Sequence, residues 1–118
     1  MYGAILGDMI GSPYEFDRGN KTKDFPLFSK RSTFTDDSVM TLAVAKALAD
    51  YDEITDYDEF KNHLVKVMHK VGGSYMGCGY GGRFYMWLKY ACIEPYNSYG
   101  NGSAMRVSPV GWYAKSLD

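Results

Sequence analysis

Residues 35–49 read TDDSVMTLAVAKALA. Thr35 suits a helix N-cap, because its hydroxyl accepts from an N–H that has no partner inside the helix. Asp36 and Asp37 then sit where the helix dipole favours negative charge. Val39, Leu42, Ala43, Val44, Ala47 and Leu48 follow, and they leave almost no polar side. A helix that is apolar on most sides is a buried one. The rest of the chain must therefore wrap it.

The flanking sequence supplies more helix. Residues 2–11, YGAILGDMIG, form one predicted helix, ended by Pro13. Gly3, Gly7 and Gly11 fall on one face of it. Glycine costs a helix about 1 kcal/mol per position relative to alanine, so this register predicts another backbone packed against that face. Residues 12–34 carry the turn signals Gly19, Asn20 and Pro26, and a stretch of this length marks a functional loop. After the central helix come Asp50, Asp52, Glu53, Asp56, Asp58 and Glu59, read as a solvated turn or as a cation or basic-partner patch. Asp56 and Glu59 have capping-box spacing. Tyr57, Phe60, Leu64, Val67, Met68 and Val71 repeat at the helical period and predict a third helix, with His63 and His69 at its surface or rim.

Residues 72–82, GGSYMGCGYGG, are too rich in glycine for regular structure. Arg83–Ile93 is a fourth predicted helix, with Phe84, Trp87, Leu88 and Ala91 on one side. A loop, PYNSYGNGS, spans 95–103, and helix resumes at Ala104 with Pro109 as a restart or kink. Nothing alternates with the period of a strand. The predicted fold class is all-α.

The 118 residues amount to one domain. No run reaches the roughly 18 apolar residues of a membrane span, and no secretory signal pattern opens the chain. The formal charge of -1 and pI of about 6.1 disfavour a nucleic-acid binder held by a basic surface. Cys78 and Cys92 are too few for a disulfide scaffold, and neither they nor the histidines have zinc spacing. Two reduced thiols predict a cytoplasmic protein.

Several residue sets carry possible chemistry. Thr35, Asp36 and Asp37 offer only hard oxygen donors, suited to Mg²⁺, Mn²⁺ or Ca²⁺. The same three also read as a cap followed by dipole-favoured acids. Glu15 is a second candidate acid, after a glycine-rich helix and a proline. Asp8 of the first helix could serve as a ligand, but reads first as a structural or surface acid. In GNGSAMR, residues 100–106, two glycines leave backbone N–H groups open toward a helix start, an arrangement that can hold phosphate or serve simply as a capped turn. Arg83, after Gly81 and Gly82, can pair with an anion or lie on the surface.

GAILGDMIGSPYEF, FTDDSVMTLAVAKAL, GYGGRFYMWL and YGNGSAMRVSPVGW occur in this order between residues 2 and 114. Together they resemble the ADP-ribosylglycohydrolase family. The resemblance implies an all-α, orthogonal helical bundle with a binuclear Mg²⁺ or Mn²⁺ centre. It also implies hydrolysis of the glycosidic bond between ADP-ribose and a protein side chain. Thr35, Asp36 and Asp37 match the family's metal motif. Glu15 matches an early glutamate that closes over the site or joins the metal shell, and Glu15, Asp36 and Asp37 are the implied catalytic group. Gly100, Asn101, Gly102, Ser103, Met105 and Arg106 match the loop implied to cradle ADP-ribose or an ADP-ribosylated protein.

The family's second metal motif, Asp-x-Asp followed by Thr or Ser, has no counterpart after Arg106, where Asp118 is the only acid. Residues 1–118 are therefore expected to be the N-terminal portion of a single domain of this type. By itself such a chain is expected to be catalytically silent or nearly so, or to persist as a non-catalytic ADP-ribose-binding or structural remnant. Its over-apolar helices predict a homodimer or a completing second chain.

Overall fold

The computed structural model describes residues 1–16, 19 and 22–115. Six α-helices run in chain order: α1 (Tyr2–Gly11), α2 (Asp36–Ala49), α3 (Tyr57–Gly73), α4 (Gly82–Lys89), α5 (Gly102–Met105) and α6 (Ser108–Tyr113). A 3₁₀ turn, Ser12–Tyr14, prolongs α1. Among the described residues there is no strand, and no helix is long and apolar enough to cross a membrane. The all-α prediction holds.

The axis of the fold is α2. Met40, Ala43 and Ala47 have no solvent exposure, and α1, α3, α5 and α6 all pack against this helix. Val67 of α3, Trp87 and Leu88 of α4 and Tyr80 of the intervening loop complete the core. Both long helices are capped as their sequences predict. Thr35 accepts from the N–H of Asp37, and Asp56 accepts from the N–H groups of Asp58 and Glu59. Four of the six acids at 50–59, namely Asp50, Asp56, Asp58 and Glu59, have local partners. Asp50 meets His63 at 2.9 Å and Lys46 at 3.6 Å, Glu59 accepts from Tyr51, and Asp58 pairs with Lys61. The solvated-turn reading of 50–59 therefore accounts for them.

Three expectations are corrected. Among the described residues no backbone packs on the glycine face of α1, since a side chain at Gly3, Gly7 or Gly11 would meet nothing within 4 Å there. Gly72 and Gly73 do not break structure but end α3. Gly72 is buried, and a methyl there would lie 3.0 Å from Leu88 and 3.1 Å from Met40. The missing side chain lets α3 close on the core, and the Gly72 carbonyl accepts from the buried Tyr80 hydroxyl at 3.1 Å.

The third correction is at α4, which stops at Lys89 and not at Ile93. Ala91 takes a φ of 50°, with its N–H bonded to Leu88 O at 3.2 Å and the Cys92 N–H to Trp87 O at 3.0 Å. These two bonds make a Schellman C-cap with alanine at the left-handed position that glycine normally fills. Ala91 is exposed and outside the helix, not on its apolar side. Further on, α5 begins two residues earlier than expected, and Pro109 lies in the first turn of α6, a separate helix that opens at Ser108.

The left-handed backbone at Ala91 sets up a stability test. Ala91→Gly removes a steric penalty that exceeds glycine's extra chain entropy, so it should stabilise the protein by about 1 kcal/mol. Urea unfolding followed by circular dichroism would show it as a higher midpoint with an unchanged slope.

Candidate functional site

The site is organised where α1 meets the start of α2. Asp8, midway along α1, points its carboxylate at that start. Its Oδ2 accepts from the Thr35 N–H at 2.8 Å, from the Ser38 hydroxyl at 2.5 Å and from the Ser38 N–H at 3.2 Å. Its Oδ1 accepts from the Thr35 hydroxyl at 2.6 Å. Thr35 and Ser38 are themselves buried. A carboxylate taking backbone N–H groups at a helix N-terminus is favoured both by hydrogen bonding and by the dipole.

Beside this junction lies a cavity of about 430 Å³. Gly7, Asp8 and Gly11 of α1 form one wall, and Asp37 and Thr41 of α2 form another. Glu15 stands at its exposed rim, and Asn101 and Met105 close it from the side of α5. The bare glycine face of α1 thus borders open space that a ligand can enter. Thr41 fixes two walls to each other, since its hydroxyl donates to the Asp37 carbonyl at 2.7 Å and lies 3.3 Å from the Met105 carbonyl.

The candidate residues divide accordingly. Glu15, Asp37, Asn101 and Met105 come together at the cavity, from three separate stretches of chain. Thr35 lies beneath it as the helix cap, its hydroxyl committed to Asp8. Asp36 is not in the cavity lining. Its N–H bonds to the Cys78 carbonyl at 3.0 Å, and its Oδ1 lies 3.6 Å from where a side chain on Gly79 would begin. Gly79 has a φ of 106°, so glycine is needed there for the backbone and leaves room for the carboxylate. Gly100 and Ser103 are exposed and outside the lining, while Gly102 and Arg106 are half-buried. Among the described residues Arg83 reaches the carbonyls of Tyr96 and Asn97, each at 3.4 Å.

The acids feel one another. Asp36 is pushed up to about 6, first by burial, then by the charge on Asp37, with Glu15 and Asp8 adding to it. Partial burial and then the charges of Asp37 and Asp8 also raise the carboxyl of Glu15 above its ordinary range. Cys78 is raised as well, chiefly by burial, which leaves it a poor nucleophile. Among the described residues, no three His, Cys, Asp or Glu side chains already gather as a metal site. The donor set nonetheless fits Mg²⁺ or Mn²⁺ in kind. It consists of hard oxygens in mutual repulsion that a cation would relieve, and Mg²⁺ keeps several of its own waters.

Sequence reasoning missed Thr41 and underrated Asp8. Thr41 follows Asp37 by one helical turn, and a polar residue in an otherwise apolar run was its available signal. For Asp8 the signal was an acid on a helix with three glycines, which points to a polar task on a sparsely packed face.

The protein is an all-α body with an acidic cavity at a helix N-terminus, flanked by Asn101 and Met105. The family model for ADP-ribosylglycohydrolase matches residues 1–118, and the chain belongs to that family. No curated protein and no solved structure gave a match.

Asp8 and Asp37 should separate by role. Asp8→Ala strips four bonds from the start of α2 and should cost about 3 kcal/mol of stability. Asp37→Asn should stay within about 1 kcal/mol of wild type, because it changes only a charge in the first helical turn. Urea unfolding of the two variants side by side measures the difference.

Proposed function

We propose that this chain forms the metal- and ADP-ribose-binding part of a hydrolase that releases ADP-ribose from protein side chains. The observation that carries the reading is the convergence of Glu15, Asp37 and Asn101, from three distant segments, on a single cavity. Family membership over the whole chain supplies the substrate class.

The proposed ligands for Mg²⁺ or Mn²⁺ are Asp37, which enters the cavity, and Asp36, whose carboxylate would have to turn from Gly79 to reach the same ion, with Thr35 holding Asp37 from the cap. In complete family members the centre is binuclear. A bound ion supplies Lewis-acid polarisation at the sugar hydroxyls and the attacking water. Glu15, at the rim with a raised proton affinity, is proposed to accept and return a proton during the reaction. The Asn101 side chain makes no hydrogen bond among the described residues, so its amide is available to a ligand in the cavity. The segment from Gly100 to Arg106, including Gly102, Ser103 and Met105, is proposed to carry the diphosphate and ribose.

A non-catalytic ADP-ribose-binding role is the second reading. It is favoured by the lack of a ready three-donor metal set among the described residues. A second copy or another chain is proposed to cover exposed side chains such as Tyr2, Phe16, Phe28 and Trp112.

Calorimetry with Mn²⁺ and then ADP-ribose tests the site. Wild type should bind both, and Asp36→Asn/Asp37→Asn should lose at least about tenfold in Mn²⁺ affinity, roughly 1.4 kcal/mol. Equal affinity in the two proteins would remove the metal assignment. Gly102→Val should weaken ADP-ribose binding, since a side chain there starts 2.9 Å from the Arg106 guanidinium and displaces it. Release of ADP-ribose from modified-arginine and modified-serine peptides with Mg²⁺ then separates the readings. The hydrolase reading predicts turnover once a completing chain is supplied, and the binding reading predicts none.

A further inference from the structure

The segment from Asn101 to Arg106 is bonded to itself as one body. The Asn101 carbonyl accepts from the N–H groups of Ala104 at 2.9 Å and Met105 at 3.0 Å, and the Gly102 carbonyl accepts from Arg106 Nε. This body carries Asn101 and Met105, the two residues that close the cavity from the side of α5. A helix of four residues is not stable unaided, so groups outside α5 must hold it in place. The hold from α2 is weak. The Thr41 hydroxyl has one hydrogen, and it goes to the Asp37 carbonyl at 2.7 Å ahead of the Met105 carbonyl at 3.3 Å. Met105 packs against the core, but a flexible, unbranched side chain fixes position poorly.

The firmer hold comes from α4. The guanidinium carbon of the half-buried Arg106 lies over the Phe84 ring, 4.9 Å from its centroid, within cation–π reach. Phe84 is itself fixed. Its ring stacks on Trp87 at 5.4 Å with planes 14° apart and meets Tyr80 edge-on at 5.3 Å. Both neighbours are pinned. The Trp87 indole N–H donates to the Glu94 carbonyl at 3.0 Å, its ring stacks on His69 of α3 at 4.0 Å, and the Tyr80 hydroxyl donates to the Gly72 carbonyl at 3.1 Å. Direct contacts therefore run from α3 and α4 through Phe84 and Arg106 to Gly102, and from there to Asn101 at the cavity.

We infer that Phe84 is the positioning residue for the α5 wall of the site. By holding the Arg106 guanidinium it fixes the 101–106 body, and so sets how tightly the cavity holds ADP-ribose. Neither Phe84 nor Arg106 is in the cavity lining, and both act through Asn101 and Met105, which are. This rests on the ADP-ribose reading of the segment and adds the residue outside it that keeps it in place.

The test uses the full chain as wild type, Phe84→Leu, Phe84→Tyr and Arg106→Gln. Backbone ¹⁵N relaxation is measured without ligand, and ADP-ribose affinity by calorimetry. Wild-type amides at 102–106 should have order parameters near the rigid value of about 0.85, and Phe84→Leu should drop them below about 0.6. The amides of α2 should not change. Phe84→Leu should also bind ADP-ribose at least about fivefold more weakly, because a loosened wall must be ordered on binding. Phe84→Tyr keeps the ring face, so it should keep wild-type order and stay within about twofold in affinity. Unchanged order or unchanged affinity in Phe84→Leu, with wild type binding normally, overturns the inference. Loosening that spreads to α2 marks general damage and overturns it too. Should Phe84→Leu fail to fold, Arg106→Gln decides, and an ordered 102–106 segment there overturns the inference. If wild type binds no ADP-ribose while the relaxation results hold, the ADP-ribose reading falls and the hold of Phe84 on α5 stands.

Discussion

Four donors from the start of α2 converge on the carboxylate of Asp8: the N–H and hydroxyl of Thr35 and the N–H and hydroxyl of Ser38. Helix starts leave N–H groups without intrahelical partners, and a buried start must find them elsewhere. Here the partner comes from another helix. The bonds fix the depth at which α1 meets α2, and the rest of the site follows from that depth. Gly7 and Gly11 face the cavity, Asp37 is directed into it, and the turn after α1 carries Glu15 to its rim. The clasp is polar where most helix contacts are apolar, and it leaves space beside it because α1 brings no large side chain to that face.

The electrostatics of the site follow from the same crowding. Asp8, Glu15, Asp36 and Asp37 share one region, and burial together with mutual repulsion raises both Asp36 and Glu15. Perturbed acids collected in a cleft are a mark of functional sites. The acids between α2 and α3 differ in each respect. Asp50, Asp58, Glu59 and Asp56 are engaged with Lys46, His63, Lys61, Tyr51 and the cap of α3, at the surface. Two acidic regions of similar composition thus have different physical roles, and their partners distinguish them.

Much of this was legible in the sequence. The apolar wrap of α2, the caps at Thr35 and Asp56 and the period of α3 are local signals, and the helices formed where those signals lie. The errors arose where tertiary contact overrides local preference. Gly72 and Gly73 look like breakers, but α3 runs to Gly73, and at Gly72 the missing side chain lets Leu88 and Met40 pack close. Ala91 looks like part of an apolar stripe, but the Trp87 and Leu88 carbonyls are capped by a chain that turns left-handed there. At the site, the residue types at 35–37 were readable but their directions were not. Adjacent side chains at a helix entry diverge, so Asp37 enters the cavity while Asp36 turns toward Gly79. That Asp8 joins Thr35 is a contact across 27 positions, and no spacing rule announces it.

The central claim is that the cavity between α1, α2 and α5 is where a divalent cation and its ligand bind. Paramagnetic broadening by Mn²⁺ reports this directly, because amide signals closest to the ion vanish first. Titrating substoichiometric Mn²⁺ into ¹⁵N-labelled protein should first erase the amides of Gly7, Gly11, Asp37 and Asn101. Those of Asp52, Glu53 and Asp58 should persist. First loss of the signals between α2 and α3, with the cavity amides intact, would contradict the account.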